Sequence, residues 1–231
     1  MLVFKFSKTL IPIQAEIEKA LTVFFRSHFE LTCSSRTDAG VHALKNFFHF
    51  DSEGLPEEEM LQASIYNLNA ILPNDIVVKK LYKVTDNLHC RFDAKSREYK
   101  YYVYQNKDPF LNGRAFYYPY KLDIQKLQEA ATSILNYNDF ASFSKKHTQV
   151  KTFNCTVFKS EWNIENSQLF IQLKPIVFLR GMVRGLVGTM LKVGTSKISI
   201  KDFIQIIENK DSSKVDFSVP PQALFLFDVE Y

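Results

Sequence analysis

Apolar positions change their period along the chain, and each change marks an element. Leu2, Phe4 and Phe6 alternate, which predicts a strand over residues 2 to 6. Ile13, Ile17, Ala20, Leu21 and Phe24 then recur at three- and four-residue steps, the stripe of a helix with one buried face. Glu16 and Glu18 lie early in that helix and Arg26 and His28 late, as the helix dipole favours. A short apolar run, Leu31 to Cys33, enters a polar segment, and Phe48 and Phe50 indicate the strand that leaves it. Pro56 and the three glutamates after it open a second helix with the stripe Leu61, Ile65 and Leu68. Ile76 to Val84 and Tyr99 to Tyr104 read as strands, one β-branched and one aromatic.

The second half repeats the mixture. Residues 105 to 121 carry Pro109, Gly113 and Pro119 and predict a linker or excursion. Leu127, Ala130, Ala131, Ile134 and Leu135 form a helix face, and Asn136 to His147 reads as a polar loop. Thr152 to Trp162 and Leu169 to Leu173 alternate as a hairpin across residues 165 to 167. Ile176 to Val193 predicts one long helix ended by Gly194. Ser199 and Asp202 form a capping-box pattern for a helix over 200 to 209. After Pro220-Pro221 the positions Phe225, Phe227, Val229 and Tyr231 alternate again. This order implies an α+β fold of two halves, 1–104 and 105–231, sharing an extended, mainly antiparallel sheet with flanking helices.

Composition narrows the partners only slightly. Twenty-nine basic against 25 acidic residues give a net charge of +4, compatible with a nucleic-acid partner but not demanding one. Cys33, Cys90 and Cys155 are odd in number and form no CxxC pair, so neither a disulfide framework nor a zinc site is indicated. Three reduced thiols fit a cytoplasmic protein. No run approaches the roughly 18 apolar residues of a membrane span, so a soluble intracellular protein is expected.

The candidate chemistry centres on residues 34 to 43, SSRTDAGVHA, where Arg36, Asp38 and His42 surround Gly40. Two small hydroxyls, a charge pair and a glycine make a turn. A carboxylate aimed from such a turn beside an arginine suits a nucleophile or a base; a lone R-T-D reads equally well as a surface turn capped by Asp38. His42, His49 and His89 with Asp38 could suggest a metal, but a spacing of four serves a metal only on a helix, and Gly40 disfavours helix there. No metal is expected. Arg180 and Arg184, four apart, should project from one face of the long helix. Gly181, Gly185 and Gly188 would each cost about 1 kcal/mol against Ala in a helix interior, so they imply close packing. Tyr99 opens an aromatic strand and fits either core packing or stacking on a base.

Several segments together resemble one family. RTDAGVHA (36–43) is similar to the active-site motif of the tRNA pseudouridine synthase A family. NLNAILPNDIVV (67–78), HCRFDAKSREYKYYV (89–103) and FLRGMVRGLVGTMLKVG (178–194) resemble further motifs of that family in the same order. DFASFSK from Asp139 and the C-terminal PPQALFLFDVEY are weaker likenesses. The likeness spans nearly the whole chain.

The resemblance implies the pseudouridine synthase fold and an isomerase that converts uridine to pseudouridine at tRNA positions 38 to 40, in the anticodon stem–loop. It also implies a homodimer formed through the second halves, with tRNA as partner and no cofactor. It makes Asp38 the catalytic carboxylate, Arg36 and Arg184 its supports, and Tyr99 the ring that stacks on the uracil. Arg180 and Arg97 become substrate contacts. His42 becomes a loop or packing residue. The sequence departs from the family in several places. No glycine- and tryptophan-bearing loop follows the first strand, Ser35 stands where a glycine is usual, and Lys45-Asn46-Phe47 replaces G-Q-V. These departures motivate a second reading, an RNA-binding paralogue with lost or altered activity.

Overall fold

The structure is a computed structural model that describes residues 2–4, 13–52, 57–145, 152–165, 168–176 and 178–231. The chain forms two compact units, Met1–Lys95 with Leu226–Tyr231, and Ser96–Phe225. These units divide the chain nine residues earlier than the expected halves, and the last strand belongs mostly to the first unit.

In the first unit, β1 (Leu2–Phe4) is followed by α1 (Ile13–Phe25), β2 (Thr32–Cys33), β3 (His42–Asn46), β4 (Phe48–His49), α2 (Glu58–Ile71) and β5 (Ile76–Val78). Strand β1 pairs antiparallel with both β3 and β5, and β2 pairs antiparallel with β4. Helix α1 buries Ile17, Ala20 and Leu21, the face its periodicity indicates. Residues 5, 6 and Pro56 lie outside the described residues. Strand β5 is shorter than expected. The Asn69 carboxamide accepts the Val78 N–H at 2.7 Å and donates to the Val78 carbonyl at 2.9 Å. That bidentate clamp engages both backbone groups of the last residue of the strand, and Lys79 and Lys80 beyond it are exposed.

In the second unit come β6 (Ser96–Tyr104), β7 (Phe116–Tyr117), α3 (Ile124–Ser133), β8 (Val157–Glu165), β9 (Gln168–Pro175), α4 (Met182–Gly194) and α5 (Ile200–Glu208). Strand β9 pairs antiparallel with β6 on one side and β8 on the other, and β7 lies parallel to β6. The final strand, β10 (Leu224–Glu230), lies beside β3 in the first unit. The result is a mixed α/β protein with a multistranded sheet and flanking helices. Helix α5 carries the expected capping box, with Ser199 and Asp202 bonded reciprocally. The polar stretch expected as a loop at 136–147 is partly core. Ala141–Phe143 makes a 3₁₀ turn, Phe140 and Phe143 are fully buried, and the Ser142 hydroxyl donates to the Ile206 carbonyl at 2.6 Å. The aromatics outweigh the polar average of that segment.

One expectation is corrected. The helix predicted from Ile176 begins only at Met182, because β9 runs to Pro175 and Gly181 adopts φ 79° at the N-cap. That left-handed conformation ends the preceding segment instead of continuing a helix. Arg180 therefore precedes α4 and does not share a helix face with Arg184. No helix among the described residues is long and apolar enough to cross a membrane.

Candidate active site

The first unit presents Arg36 and Asp38 on the connection between β2 and β3. Both ends of that connection are held. At its start, the Ser34 N–H donates to the Phe47 carbonyl at 2.8 Å. The Ser34 hydroxyl donates to Asn46 Oδ1 at 2.7 Å, and Asn46 Nδ2 donates to the Ser35 carbonyl at 3.1 Å. Asn46 Oδ1 also accepts the Phe47 N–H at 3.0 Å. At its end, the Val41 N–H donates to the Asp38 carbonyl at 3.1 Å, closing a tight turn. Gly40 occupies the third position of that turn at φ 86°, which a residue with a side chain adopts only under strain. Between these fixed points Asp38 is half-buried and Arg36 exposed.

His42 starts β3 and is buried, in the manner of a packing residue. Burial pushes the Cys33 thiol pKa up, against the opposing field of the Arg36 and Arg91 guanidiniums.

The second unit carries Arg97, Tyr99, Arg180 and Arg184. Arg97, Tyr99 and Tyr101 alternate onto the buried side of β6. Arg97 is 8% exposed and donates from a terminal nitrogen to the Ile176 carbonyl at 3.0 Å. The buried Tyr99 ring meets Phe178 edge-on, centroids 4.2 Å apart. Tyr101 is fully buried and donates to the Pro220 carbonyl at 2.9 Å. Burial pushes its pKa far up, with Arg184 as the opposing charge, so its hydroxyl stays a donor.

Arg184, in the first turn of α4, reaches the same segment. Its Nε donates to the Val219 carbonyl at 2.8 Å and an Nη to the Phe217 carbonyl at 3.1 Å. The segment can lie close to α4 because of two glycines. A Cβ on Gly188 would stand 2.2 Å from the Asp216 carbonyl oxygen, and one on Gly185 would stand 2.8 Å from the Phe217 ring. The Thr189 hydroxyl accepts the Asp216 N–H at 3.2 Å, and Lys192 pairs with the Asp216 carboxylate at 3.4 Å. Close packing was expected of three glycines; Gly185 and Gly188 provide it inside the helix, whereas Gly181 is its N-cap. Arg180 is exposed, and its carbonyl accepts the Lys145 N–H at 2.9 Å.

Arg36 and Asp38 thus share one loop, and Arg97, Tyr99 and Arg184 share one unit with Ile176, Phe178 and the 217–220 segment. Sequence reasoning noted Asn46 as a departure and read Tyr101 only as part of the aromatic strand Tyr99 to Tyr104. A polar residue on the buried side of a short strand was the available signal for Asn46. Nothing local marks 217–220 as a rest for Arg184, since its carbonyls are backbone.

A family model described as tRNA pseudouridine synthase matches residues 130–231. The chain is 44% identical to tRNA pseudouridine synthase A of Bacteroides fragilis over 222 residues, covering 96% of this chain and 87% of that protein. It is 43% identical to the protein of that name from Parabacteroides distasonis, covering 95% and 86%. Against that of Bacillus licheniformis the identity is 38%, covering 95% and 89%. Identity at this level across nearly the full length places the chain in the tRNA pseudouridine synthase A family.

Proposed function

We propose that this chain isomerises uridine to pseudouridine in the anticodon stem–loop of tRNA, at positions 38 to 40. The observation that carries the reading is the Asp38 loop: a half-buried carboxylate held between two fixed points, in a chain 44% identical to a protein named for this reaction.

The reaction breaks the C1′–N1 bond, turns the uracil over, and joins C5 to C1′. The C5 proton leaves and N1 gains one, so atoms balance without redox change or cofactor. Asp38 supplies the carboxylate, either as a nucleophile at C1′ or as the base that forms a glycal. Arg36, two residues earlier, orients that carboxylate. Tyr99 offers a planar ring to the displaced base. Arg184 adds a cation to the catalytic set. The exposed Arg180 and the largely buried Arg97 act on the substrate side. The second half, 105–231, mediates a homodimer, and two similar α/β halves make up the fold. The three free cysteines fit work in the cytoplasm.

The test is to incubate wild type and Asp38→Asn with an unmodified tRNA transcript and map pseudouridine by chemical sequencing. Wild type should give product in the anticodon arm, and Asp38→Asn none, although it folds and binds the transcript. Product elsewhere in the tRNA would overturn the position. Normal product from Asp38→Asn would overturn the role of the carboxylate.

A further inference from the structure

Residues 89–92 form a tightly held turn that the chemistry above does not use. Cys90 anchors it. Its N–H donates to His49 Nδ1 at 3.2 Å, its thiol to the Thr32 carbonyl at 3.1 Å, and its carbonyl accepts the Tyr231 hydroxyl at 2.7 Å. The His89 N–H donates to Asp93 Oδ2 at 2.7 Å, and the His89 carbonyl accepts the N–H groups of Phe92 and Asp93 at 3.1 and 3.0 Å. On this fixed mount Phe92 is 75% exposed. Its ring lies against the His89 ring, centroids 4.2 Å apart and planes inclined by 32°. The Arg91 guanidinium carbon is 6.0 Å from the Phe92 centroid.

A single exposed apolar side chain on a surface is ordinary. Three features set Phe92 apart. Its backbone is fixed, so little entropy would be lost when a ligand settles on the ring. A histidine ring lies against it, and the Arg91 cation stands over the ring, 6.0 Å from its centroid. The turn also rests against β2 and β4, and β2 leads directly into the Asp38 loop. Arg91 and Arg36 both bear on the Cys33 thiol, which places the turn beside that loop within the same unit.

An aromatic face next to a cation matches one ligand chemistry well. A nucleobase presents a π-face and its phosphate an anion, and aromatic–base stacking tolerates any sequence. We infer that Phe92, backed by His89 and flanked by Arg91, is a stacking platform for an unpaired base of the tRNA, with Arg91 on the adjoining phosphate. The inference rests on RNA being the substrate.

Equilibrium binding of an unmodified tRNA transcript at fixed salt tests it. Phe92→Ala should raise Kd about 5- to 150-fold, the range for loss of one stacked base. Phe92→Trp should keep wild-type affinity. Arg91→Ala should reduce the slope of log Kd against log salt by about one phosphate contact. Phe110, 86% exposed on a 3₁₀ turn of the second unit, is the control, and Phe110→Ala should stay within about twofold of wild type. Phe92→Ala binding like wild type overturns the platform, as does Phe92→Trp binding as weakly as Phe92→Ala, or Phe110→Ala weakening binding equally. If wild type makes pseudouridine while Phe92→Ala binds normally, the platform falls and the proposed function stands. A wild type that binds no tRNA overturns both.

Discussion

Asn46 donates to the Ser35 carbonyl at 3.1 Å, one residue ahead of Arg36, while its oxygen takes the Ser34 hydroxyl at 2.7 Å. A buried amide with both ends engaged fixes the point from which the Asp38 loop departs. The Asp38–Val41 turn fixes the point to which it returns. Only Arg36 and Thr37 lie between those two constraints and Asp38. The carboxylate is therefore aimed by the end of β3 as much as by its own loop.

Removing that amide should cost stability and turnover together. Asn46→Ala leaves Ser34 and the Ser35 carbonyl short of partners in a buried place, a loss of about 1–3 kcal/mol. Asn46→Asp keeps the acceptor but turns an oxygen toward the Ser35 carbonyl, and should be no better. Urea unfolding gives the first quantity and single-turnover pseudouridine formation the second. Wild-type turnover in Asn46→Ala would show that the loop holds its shape without the clamp.

Gly188→Ala should be among the more damaging single-methyl changes in the chain. The added Cβ would meet the Asp216 carbonyl at 2.2 Å, so helix and segment must part. Overpacking of this kind costs about 1–3 kcal/mol or more. Gly113 has a positive φ of 75° but open space around its Cβ position, so Gly113→Ala carries strain alone, about 1–2 kcal/mol. Thermal melts of the two variants should rank in that order. Because Phe217 and Val219 hold Arg184, only Gly188→Ala should also slow turnover.

Asp216 gives the segment a pH dependence. Burial disfavours its ionised form. That effect is outweighed by donation from the Ser218 hydroxyl at 2.6 Å and N–H at 2.9 Å, and by Lys192, so its pKa is lowered. A depressed carboxylate contributes stability that is present above its unfolded pKa, near 4, and is lost as pH falls through the folded value. Asp216→Asn should therefore melt below wild type at pH 7, and the gap should shrink below about pH 4. A gap that stays constant down to pH 2 would mean the charge contributes nothing.

How far the sequence carried these features depends on range. The stripe of α1, the capping box of α5 and the turn at Gly40 are decided within a few residues, and each is legible. The start of α4 was misplaced because residues 176–181 are apolar enough for a helix, and only Gly181 at φ 79° ends the preceding segment. The core role of Phe140 and Phe143 was hidden by their polar neighbours. The rests for Arg184 and Arg97 are main-chain carbonyls, which carry no side-chain signature. Motif resemblance located Asp38; it said nothing of Asn46 as its clamp.

Tyr101 and Arg184 converge on one stretch of backbone, and that convergence makes them energetically coupled. Tyr101 donates to Pro220, and Arg184 to Phe217 and Val219. Tyr101→Phe leaves the Pro220 carbonyl without this donor and should cost about 1–2 kcal/mol. Arg184→Lys loses the planar fork that spans two carbonyls at once. If the segment is a shared support, loosening it by one change lowers what the other can still lose. The double variant should then be less destabilised than the sum of the singles, by about 0.5 kcal/mol or more. Strict additivity in urea unfolding would show instead that each side chain holds its own carbonyl independently. In a separate measurement, alkaline titration of folded wild type and Tyr101→Phe should give the same tyrosinate absorbance through about pH 11. The buried hydroxyl of Tyr101 stays protonated there, so its removal subtracts nothing until the protein unfolds.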